Sequence, residues 1–401
     1  MQLCLVRLPS SFLINERAFP PLGLLAVGTA LKLAGHEVLI RDGAMEDVPM
    51  DYEGYGFGPT TPEYAWALAI KDRIRQENPR ARLVLGGSFA AINPLRCGTD
   101  GWDCVVYGDG EIEAPRAFTG KESFIVAREY DLDEYPISDR TLIDGKSYKL
   151  LLDGREATTV VSSRGCPWRC GFCCKTAQNN SVRIRSAEHV LREVLYLHSD
   201  FGYTAIQFPD DIFILDRKRV EEIAAGLNEL GIHWRCLVRA DLVIKYGQDF
   251  VHMMADCGCT DVGMGVESGS DRILAIAKKH QTTSQVRQAV AMMRQEGIRV
   301  KGFLILGLPG EDPESIAETE ALLDGTRFED VDIKIYQPYP GSPIWENKHR
   351  YDIDWNDMAL EHQYYKGRIG DYHGNVRTSA LTNADIVHAM NWLEAKYKRA
   401  G

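Results

Sequence analysis

Short apolar runs alternate with helical patterns along the first part of the chain. Runs of strand length lie at 3–7, 37–41, 54–57, 82–86 and 104–107. Between them, residues 23–34 and 62–77 place apolar side chains three and four positions apart, which is typical of amphipathic helices. Strands that alternate with helices are joined by crossover connections, so this pattern predicts a doubly wound parallel sheet over residues 1–120.

A second alternation of the same kind occupies the middle of the chain. Its six strand-like runs lie at 157–162, 205–208, 233–238, 261–266, 299–306 and 332–336. The helical patterns that separate them include 187–201, 217–230, 247–256 and 284–296. Six strands with helical crossovers predict a partial barrel over residues 157–344. Residues 121–156 show no clear period and are expected to form a linker, whereas 345–401 are expected to form a C-terminal helical extension.

The expected fold class is therefore α/β, with an N-terminal Rossmann-like doubly wound parallel sheet followed by a (β/α)6 partial TIM barrel. In both architectures, ligands meet the loops that follow the carboxyl ends of the strands. In the first domain, those junctions carry turn residues at 20–23, 58–62, 86–88 and 108–111. Any one of these glycines can serve a tight turn alone, but several at one edge of a sheet favour a ligand-binding edge.

Composition and charge narrow the classes of protein to consider. The chain has 401 residues, 45% of them hydrophobic, which is enough for two domains with apolar cores. Its first residues lack the features of a signal peptide, and no apolar run has bilayer-spanning length, so we expect a cytoplasmic protein without a membrane segment. The formal net charge of -11 disfavours nucleic acid as a partner, because an acidic surface repels phosphate.

Four of the ten cysteines lie within nine residues, directly after the first strand of the predicted barrel. Cys166, Cys170 and Cys173 have the spacing CxxxCxxC. Three thiolates this close can bind three corners of an iron–sulfur cube, and the fourth iron then lacks a protein ligand. Structural zinc usually takes four ligands in paired spacings, and the next pair, Cys257 and Cys259, has a single residue between its cysteines. The spacing therefore favours an iron–sulfur site with one open iron.

Cys174 directly follows the third cysteine of this motif, and its role is open on the sequence alone. It is either a fourth ligand or a small buried side chain. Adjacent cysteines rarely bind the same cube, so we expect Cys166, Cys170 and Cys173 to be the metal ligands.

The cysteine motif, with the aromatic Phe172 just before its third cysteine, resembles the signature of the radical S-adenosylmethionine (SAM) superfamily. The preceding text, TTVVSSRGCP at 158–167, resembles the branch of that superfamily with an N-terminal cobalamin-binding-like domain. The resemblance covers nearly the whole chain. Further similar stretches are FPDDIF at 208–213, RAD at 239–241, GVESGS at 265–270, GFLILGLPGE at 302–311 and PYPG at 338–341.

The resemblance implies contacts to SAM at the strand ends. Asp210 and Asp211 occupy the place where the family binds the amino group, and carboxylates suit an ammonium. Glu267 and Ser268 would accept hydrogen bonds from the ribose hydroxyls, while Arg239 would pair with the SAM carboxylate. The alternative for each side chain is a strand-end cap or a local salt bridge.

The resemblance also implies a reaction. Ile305 would pack on the face of the adenine of SAM. A [4Fe-4S] cluster would pass one electron to the SAM sulfonium, whose C5'–S bond would break to give methionine and a 5'-deoxyadenosyl radical. That radical would abstract a hydrogen atom from an unactivated carbon. The electron would come from an external one-electron reductant of the flavodoxin or ferredoxin type.

In the resembling branch, the first domain often holds cobalamin, and methylcobalamin delivers a methyl group to the substrate radical. The contacts expected here lie on the turns after the strands, at Thr60, Thr61, Gly86, Gly87, Ser88, Gly108, Gly110 and Glu111. No DxHxxG occurs in this domain, so a histidine that replaces the lower axial ligand is not evident. The text GGSFAA at 86–91 also departs from the more usual Gly-Gly-Pro-His form. Many members of the branch lack the histidine, so cobalamin is still expected.

Three hypotheses for function follow from these observations. The first is a cobalamin-dependent radical SAM methylase that acts on an unactivated carbon of a small-molecule or peptide substrate. The second is a radical SAM cyclase, isomerase or other carbon-bond-forming enzyme without methyl transfer. The third is a non-catalytic metal-binding or redox-sensing module. Reductive cleavage of SAM separates the first two hypotheses from the third.

Overall fold

The computed structural model describes residues 1–10, 15–42, 47–174, 181–355 and 372–399. The chain divides into two compact units, of which the first contains Met1–Lys149 and the second begins at Leu150. Each unit is built around its own parallel sheet and has its own buried apolar core.

The first unit contains the strands and helices that the alternating pattern predicted, together with several that it missed. Its strands are β1 (Gln2–Arg7), β2 (Glu37–Asp42), β3 (Gly54–Phe57), β4 (Arg82–Leu85), β5 (Cys104–Tyr107) and β6 (Phe124–Val126). Its helices are α1 (Leu22–Leu33), α2 (Tyr64–Glu77), α3 (Gly87–Ile92), α4 (Pro94–Thr99) and α5 (Gly110–Thr119). All neighbouring strands pair in parallel, in the order β2-β1-β3-β4-β5-β6. The order reverses between β1 and β3, which is where such sheets bind ligands.

The sheet of the first unit is covered on both faces, which explains why consecutive residues of β1 are apolar. Leu3 and Leu5 join one core cluster, while Cys4 and Val6 join the cluster on the other face. Successive side chains of a strand point to opposite faces, so a strand that is buried on both sides must be apolar at every position.

Residues 121–149, most of the stretch expected to be a linker, belong to the compact first unit. β6 lies within them and pairs with β5. The Tyr135 hydroxyl donates to Asp109 Oδ2 at 2.8 Å, and Lys32 Nζ lies 2.6 Å from Asp139 Oδ2. The sequence pattern missed this packing because a three-residue strand is too short to show a period.

The second unit contains a larger sheet. Its strands are β7 (Leu150–Leu152), β8 (Arg155–Thr159), β9 (Ser163–Arg164), β10 (Arg183–Ile184), β11 (Ala205–Gln207), β12 (His233–Val238), β13 (Cys259–Glu267), β14 (Arg299–Leu306), β15 (Asp330–Ile335), β16 (Asp354–Trp355) and β17 (Val376–Arg377). Its helices are α6 (Ala187–Phe201), α7 (Arg217–Glu229), α8 (Ala240–Tyr246), α9 (Gln248–Asp256), α10 (Asp271–Ile276), α11 (Thr283–Gln295), α12 (Pro313–Gly325), α13 (Pro343–Glu346) and α14 (Asn383–Tyr397).

The main sheet of the second unit has the order β15-β14-β13-β12-β11-β8-β7. Its strands from β8 to β15 pair in parallel in chain order, as expected for a partial barrel, and β7 is an antiparallel edge strand that the sequence did not predict. In β14, buried Leu304 and Leu306 alternate with half-buried residues such as Ile305. One face of the strand therefore packs in the core, and the other is left partly open.

The C-terminal extension packs on the second unit through α14. A capping box at Thr382 and Asp385 begins this helix, and its buried face includes Ile386 and Leu393. Residues 356–371 of the extension lie outside the described residues. Within the described ranges, every helix falls short of the length or the hydropathy that a bilayer-spanning segment requires.

Candidate functional site

The cysteine motif lies in the loop that follows β9, at the carboxyl end of the first barrel strand. The Cys173 amide donates to the Cys170 carbonyl at 3.1 Å, which forms a tight turn between the second and third cysteines. Gly171, inside this turn, donates to the Ala277 carbonyl at 2.7 Å and accepts from the Ile344 amide at 2.9 Å. A Cβ at Gly171 would lie 3.2 Å from the Ile344 side chain, so the turn requires a small residue here. The loop is thus held from two sides.

The thiols of the motif influence one another electrostatically. The pKa of Cys173 is raised to about 12, mainly by burial and to a smaller extent by the nearby Cys170, Asp211, Cys166 and Cys174. Among the described residues, no group of three or more His, Cys, Asp or Glu side chains is close enough to hold a single metal ion. A [4Fe-4S] cube does not need such closeness, because each thiolate binds a different iron. Three thiolates in one loop, each available to a different iron, fit the ligand set of a [4Fe-4S] cube.

Cys174 forms a hydrogen bond to the turn at 338–341. Its thiol donates to the Pro340 carbonyl at 2.9 Å, and a Cβ at Gly341 would lie 3.6 Å from its sulfur. The pKa of Cys174 is raised to about 11, mainly by burial and to a smaller extent by the charge of Glu346. The side chain therefore joins the loop to the 338–341 turn, so this thiol already has a structural contact within the protein.

Asp210 lies at the site but uses most of its acceptors within the protein. Its Oδ1 accepts from the Ser162 amide at 2.8 Å, and its Oδ2 accepts from the hydroxyls of Ser162 and Ser163. Burial raises the pKa of Asp210, and the hydrogen bonds from Ser162 oppose that shift. Arg219 donates to the Ser162 carbonyl at 2.8 Å. Asp210 and Arg219 together fix the chain that leads into the cysteine loop.

Asp211 is the exposed member of the acidic pair. Its charge helps to raise the pKa of the Cys173 thiol, which places this carboxylate near the third cysteine. Of the two aspartates, Asp211 is therefore the one whose position suits a cationic group of a ligand beside the loop.

Arg239 lies against the cysteine loop rather than at an open strand end. It is 2% exposed, and its guanidinium lies 4.3 Å from the centre of the Trp168 ring. It donates to Asp241 Oδ1 at 2.9 Å and to the Lys279 carbonyl at 2.9 Å, and its Nη1 lies 4.0 Å from the Cys170 sulfur.

Glu267 forms a buried ion pair with Lys279. Glu267 Oε1 lies 2.6 Å from Lys279 Nζ, and both residues are less than 10% exposed. A Cβ at Gly265 would lie 2.5 Å from this oxygen, so the pair needs a glycine there. Glu267 has a φ of 66°, a left-handed conformation that costs energy for a non-glycine residue and is frequent at functional sites.

Three further predicted residues surround this ion pair or its strand end. Phe172 is half-buried, and Lys279 Nζ lies 6.0 Å from its ring centre. Ser268 is buried, and its hydroxyl accepts from the Ser270 amide at 3.2 Å. Ile305 is half-buried on β14. Phe172 and Ile305 can supply apolar walls for a ligand, whereas Ser268 already caps the turn after β13.

Sequence reasoning missed the side chains that link these residues. Trp168 and Lys279 were not predicted, although both contact predicted site residues. Lys279 lies between Lys278 and His280, whose φ values of 52° and 54° fold the chain back toward the loop. Left-handed lysine and histidine residues carry no sequence signal, in contrast to a glycine at such a turn.

Glu311 ends the GFLILGLPGE stretch and is fully buried. Its Oε2 accepts from the Gly307 amide, and its Oε1 has no hydrogen-bond partner within the described part of the chain. Burial raises the pKa of Glu311 to about 8, because desolvation disfavours the carboxylate.

We expect Glu311 to make the stability of the protein depend on pH. The pKa of Glu311 in the folded protein lies above that of an unfolded glutamate. The folded state is therefore most stable at low pH, where Glu311 is protonated, and loses stability as pH rises toward 8. The free energy of unfolding should fall by about 1 kcal/mol per pH unit at the steepest point between pH 5 and pH 8. Chemical denaturation of Glu311→Gln should show a flatter profile, while the exposed Glu314→Gln keeps the wild-type slope. Equal slopes for Glu311→Gln and wild type would contradict this assignment.

The expected cobalamin contacts of the first unit gather at the carboxyl edge of its sheet. The Phe89 amide donates to the Pro59 carbonyl at 3.1 Å, which joins the turns after β3 and β4. Gly87 has a φ of 80°, and a Cβ there would lie 2.9 Å from the Gly58 backbone, so the two turns touch. At Gly86, in contrast, a Cβ would meet no atom closer than 3.9 Å.

The remaining expected contacts of the first unit are partly used within the protein. Both the amide and the hydroxyl of Thr60 donate to Glu63, whereas Thr61 is half-buried at the start of the same helical turn. The Ser88 hydroxyl lies 3.4 Å from the Pro59 carbonyl. After β5, Gly108 has a φ of 108°, and Gly110 and buried Glu111 begin α5. A ligand at this edge would therefore meet mainly backbone groups and glycine residues.

The cysteine loop lies within a region that matches a known protein family. A family model described as the radical SAM superfamily matches residues 160–323, which include the cysteine loop. A protein of Pyrococcus horikoshii described as an uncharacterized methyltransferase is 30% identical over 368 residues, which cover 82% of this chain and 78% of that relative.

Two solved structures share the fold of both units. The radical SAM methyltransferase TsrM from Kitasatospora setae, with cobalamin and a [4Fe-4S] cluster bound, gives a TM-score of 0.65 at 16% identity, over 89% of this chain and 80% of TsrM. OxsB, a cobalamin-dependent SAM radical enzyme, gives 0.68 at 20% identity, over 98% of this chain and 61% of OxsB. The α/β fold class expected from the sequence is confirmed.

Proposed function

The chain belongs to the radical SAM superfamily, whose members use a [4Fe-4S] cluster and SAM, and we propose that Cys166, Cys170 and Cys173 hold that cluster in the second unit. One observation supports this proposal: Cys166 and Cys170 lie near enough to Cys173 to raise the pKa of its thiol, while the Cys174 thiol donates to the Pro340 carbonyl. When bound, the cluster supplies the electron that cleaves SAM to methionine and a 5'-deoxyadenosyl radical.

The side chains around the loop suit the parts of SAM. Exposed Asp211, beside Cys173, would pair with the ammonium of SAM. Phe172 and Ile305 would exclude water from the adenosyl group. Asp210 would act indirectly. It holds Ser162 and Ser163 by hydrogen bonds and so positions the loop, which leaves few of its acceptors for SAM. An external one-electron donor of the flavodoxin or ferredoxin type would supply the electron.

We further propose that the first unit binds cobalamin at the carboxyl edge of its sheet. The turns after β3 and β4 touch there through Gly58 and Gly87, and β3 adjoins the point where the strand order reverses. Such an edge leaves room for a flat macrocycle to approach backbone groups. The relative from Pyrococcus horikoshii and the TsrM structure, both described as methyltransferases, support methyl transfer as the reaction.

The cobalamin proposal predicts a specific binding defect. Gly86→Trp would place a large ring at the edge without a backbone clash, so we expect cobalamin affinity to fall by at least about tenfold, a loss of about 1.4 kcal/mol. The matched control is Gly98→Trp in α4, an exposed glycine outside the expected contacts, where a Cβ would meet nothing within 4 Å. Visible absorption after removal of unbound cobalamin measures both. Equal binding by Gly86→Trp and wild type would place cobalamin elsewhere.

Methyl transfer itself is tested with SAM that carries a deuterated methyl group. Anaerobic incubation of the cobalamin-loaded protein with reductant and candidate carbon substrates should give a product that contains the labelled methyl. A product without the label, formed together with 5'-deoxyadenosine, would instead support a cyclase, isomerase or other carbon-bond-forming reaction.

A further inference from the structure

The guanidinium of Arg239 lies beside the sulfur of Cys170, deep in the protein. Nη1 of Arg239 is 4.0 Å from Cys170 Sγ, and the two residues are 2% and 8% exposed. We propose that Arg239 is a positioning residue that acts on the cluster through Cys170, by donating to its thiolate and so raising the reduction potential of the cluster. This inference rests on the proposed function, in which Cys170 is a cluster ligand.

The other donors of Arg239 are already used, which fixes the direction of Nη1. Nε donates to Asp241 Oδ1 at 2.9 Å, while Nη2 donates to Asp241 Oδ2 at 3.3 Å and to the Lys279 carbonyl at 2.9 Å. The planar guanidinium stacks 4.3 Å above Trp168. Because the guanidinium is rigid and planar, holding Nε, Nη2 and one face leaves Nη1 a single direction, which the flexible amine of lysine cannot reproduce. Nη1 points at the Cys170 sulfur.

The distance between Arg239 and the cysteine loop is set by one short segment of chain. The Ala277 carbonyl accepts from the Gly171 amide, and the Lys279 carbonyl, two residues further on, accepts from Arg239. Lys278, between them, has a left-handed φ of 52°. The same segment thus holds both the residue next to Cys170 and the guanidinium that approaches its sulfur.

This geometry does not fit the contact to the SAM carboxylate expected from the sequence. A bidentate contact to a carboxylate needs two parallel N–H donors, and the edge of Arg239 formed by Nε and Nη2 is already bound to Asp241. The Nη1 side faces Cys170. We therefore assign the Nη1 side of Arg239 to Cys170 rather than to the SAM carboxylate.

A donor at this position favours the reduced cluster. One-electron reduction adds a negative charge that is shared with the thiolate sulfurs, and an N–H donor or a positive charge beside a sulfur stabilises that charge. The effect is large where the groups are buried, because water does not screen them. Loss of Arg239 should leave the nearby carboxylate of Asp241 without its partner, which lowers the potential further.

The test is a redox titration of the full chain after anaerobic reconstitution, with the reduced cluster followed by electron paramagnetic resonance. Arg239→Gln should have a lower midpoint potential than wild type. The matched control is Arg235→Gln, on β12, the strand that Arg239 directly follows; the Arg235 guanidinium pairs with Asp261 at 3.2 Å. This control should keep the wild-type potential. If the loss of any charged pair near the barrel lowered the potential, Arg235→Gln would lower it as well.

Two results would overturn the inference: a potential for Arg239→Gln that equals or exceeds that of wild type, or an equal fall in Arg235→Gln. If Arg239→Gln takes up no iron, Arg239→Lys is compared with wild type instead. This variant keeps the positive charge but loses the planar guanidinium donor, so its midpoint potential should still be lower than that of wild type. Failure of the proposed function looks different, because wild type itself would then bind no cluster. If wild type binds its cluster and the Arg239 variant has the same midpoint potential, the inference about Arg239 is wrong and the proposed function stands.

Discussion

Cys170→Ala is expected to lose the iron–sulfur cluster. Cys170 is the most buried of the three proposed ligands, and the turn that it begins is fixed by the bonds of Gly171 to Ala277 and Ile344. The rest of the loop therefore cannot shift to replace the missing thiolate. Anaerobic reconstitution of wild type should give about four irons per chain, and the variant should give a background level. Iron and sulfide assays with the visible absorption of the cluster measure this result.

The control for this experiment is Cys174→Ala in the same loop. Its thiol donates to the Pro340 carbonyl, so its loss should cost about 1 kcal/mol of stability and leave the iron content unchanged. Iron loss in Cys174→Ala with full iron in Cys170→Ala would reverse the ligand assignment. Equal loss in both variants would mean that four cysteines, not three, hold the metal.

The second large effect is expected when the buried pair of Glu267 and Lys279 is broken. Lys279→Met leaves the Glu267 carboxylate buried without a cation, and breaking such pairs typically costs about 3–5 kcal/mol. The exposed pair of Lys396 and Glu320, at 2.6 Å, is the control, because Lys396→Met should cost less than about 1 kcal/mol. Denaturant unfolding of the cluster-free protein gives both values.

A double variant separates the lost pair from lost packing. Glu267→Gln with Lys279→Met removes the stranded charge, so it should recover most of the stability that Lys279→Met alone loses. If the double variant is no more stable than the single one, the cost comes from packing around Lys279 and not from an unpaired carboxylate.

The sequence predicted the strands whose patterns are long and clear. β12 and β14 have the predicted bounds, because six and eight residues are enough to show a period of two. It missed α8 and α10, whose seven and six residues span no more than two turns, and the three-residue strand β6. Packing between elements stabilises these short pieces, and a local pattern does not contain that information.

For the site, local chemistry could be predicted and long-range contacts could not. The cysteine loop was recognisable because its residues are close in sequence. Arg239 and Glu267 were predicted near SAM, but no local pattern indicates that Arg239 lies beside Cys170 and Glu267 beside Lys279. Those contacts depend on the left-handed backbone at Lys278, on a lysine twelve residues after Glu267 and on a cysteine loop almost seventy residues before Arg239.

Cleavage of SAM is the most direct test of the central claim. The reconstituted protein is incubated anaerobically with SAM and titanium(III) citrate, a one-electron reductant, and 5'-deoxyadenosine is measured by mass spectrometry. We predict 5'-deoxyadenosine and methionine in equal amounts, formed only with reductant and absent from Cys166→Ala, Cys170→Ala and Cys173→Ala. A wild type that loads its cluster but leaves SAM intact under these conditions would contradict the assignment of this chain as a radical SAM enzyme.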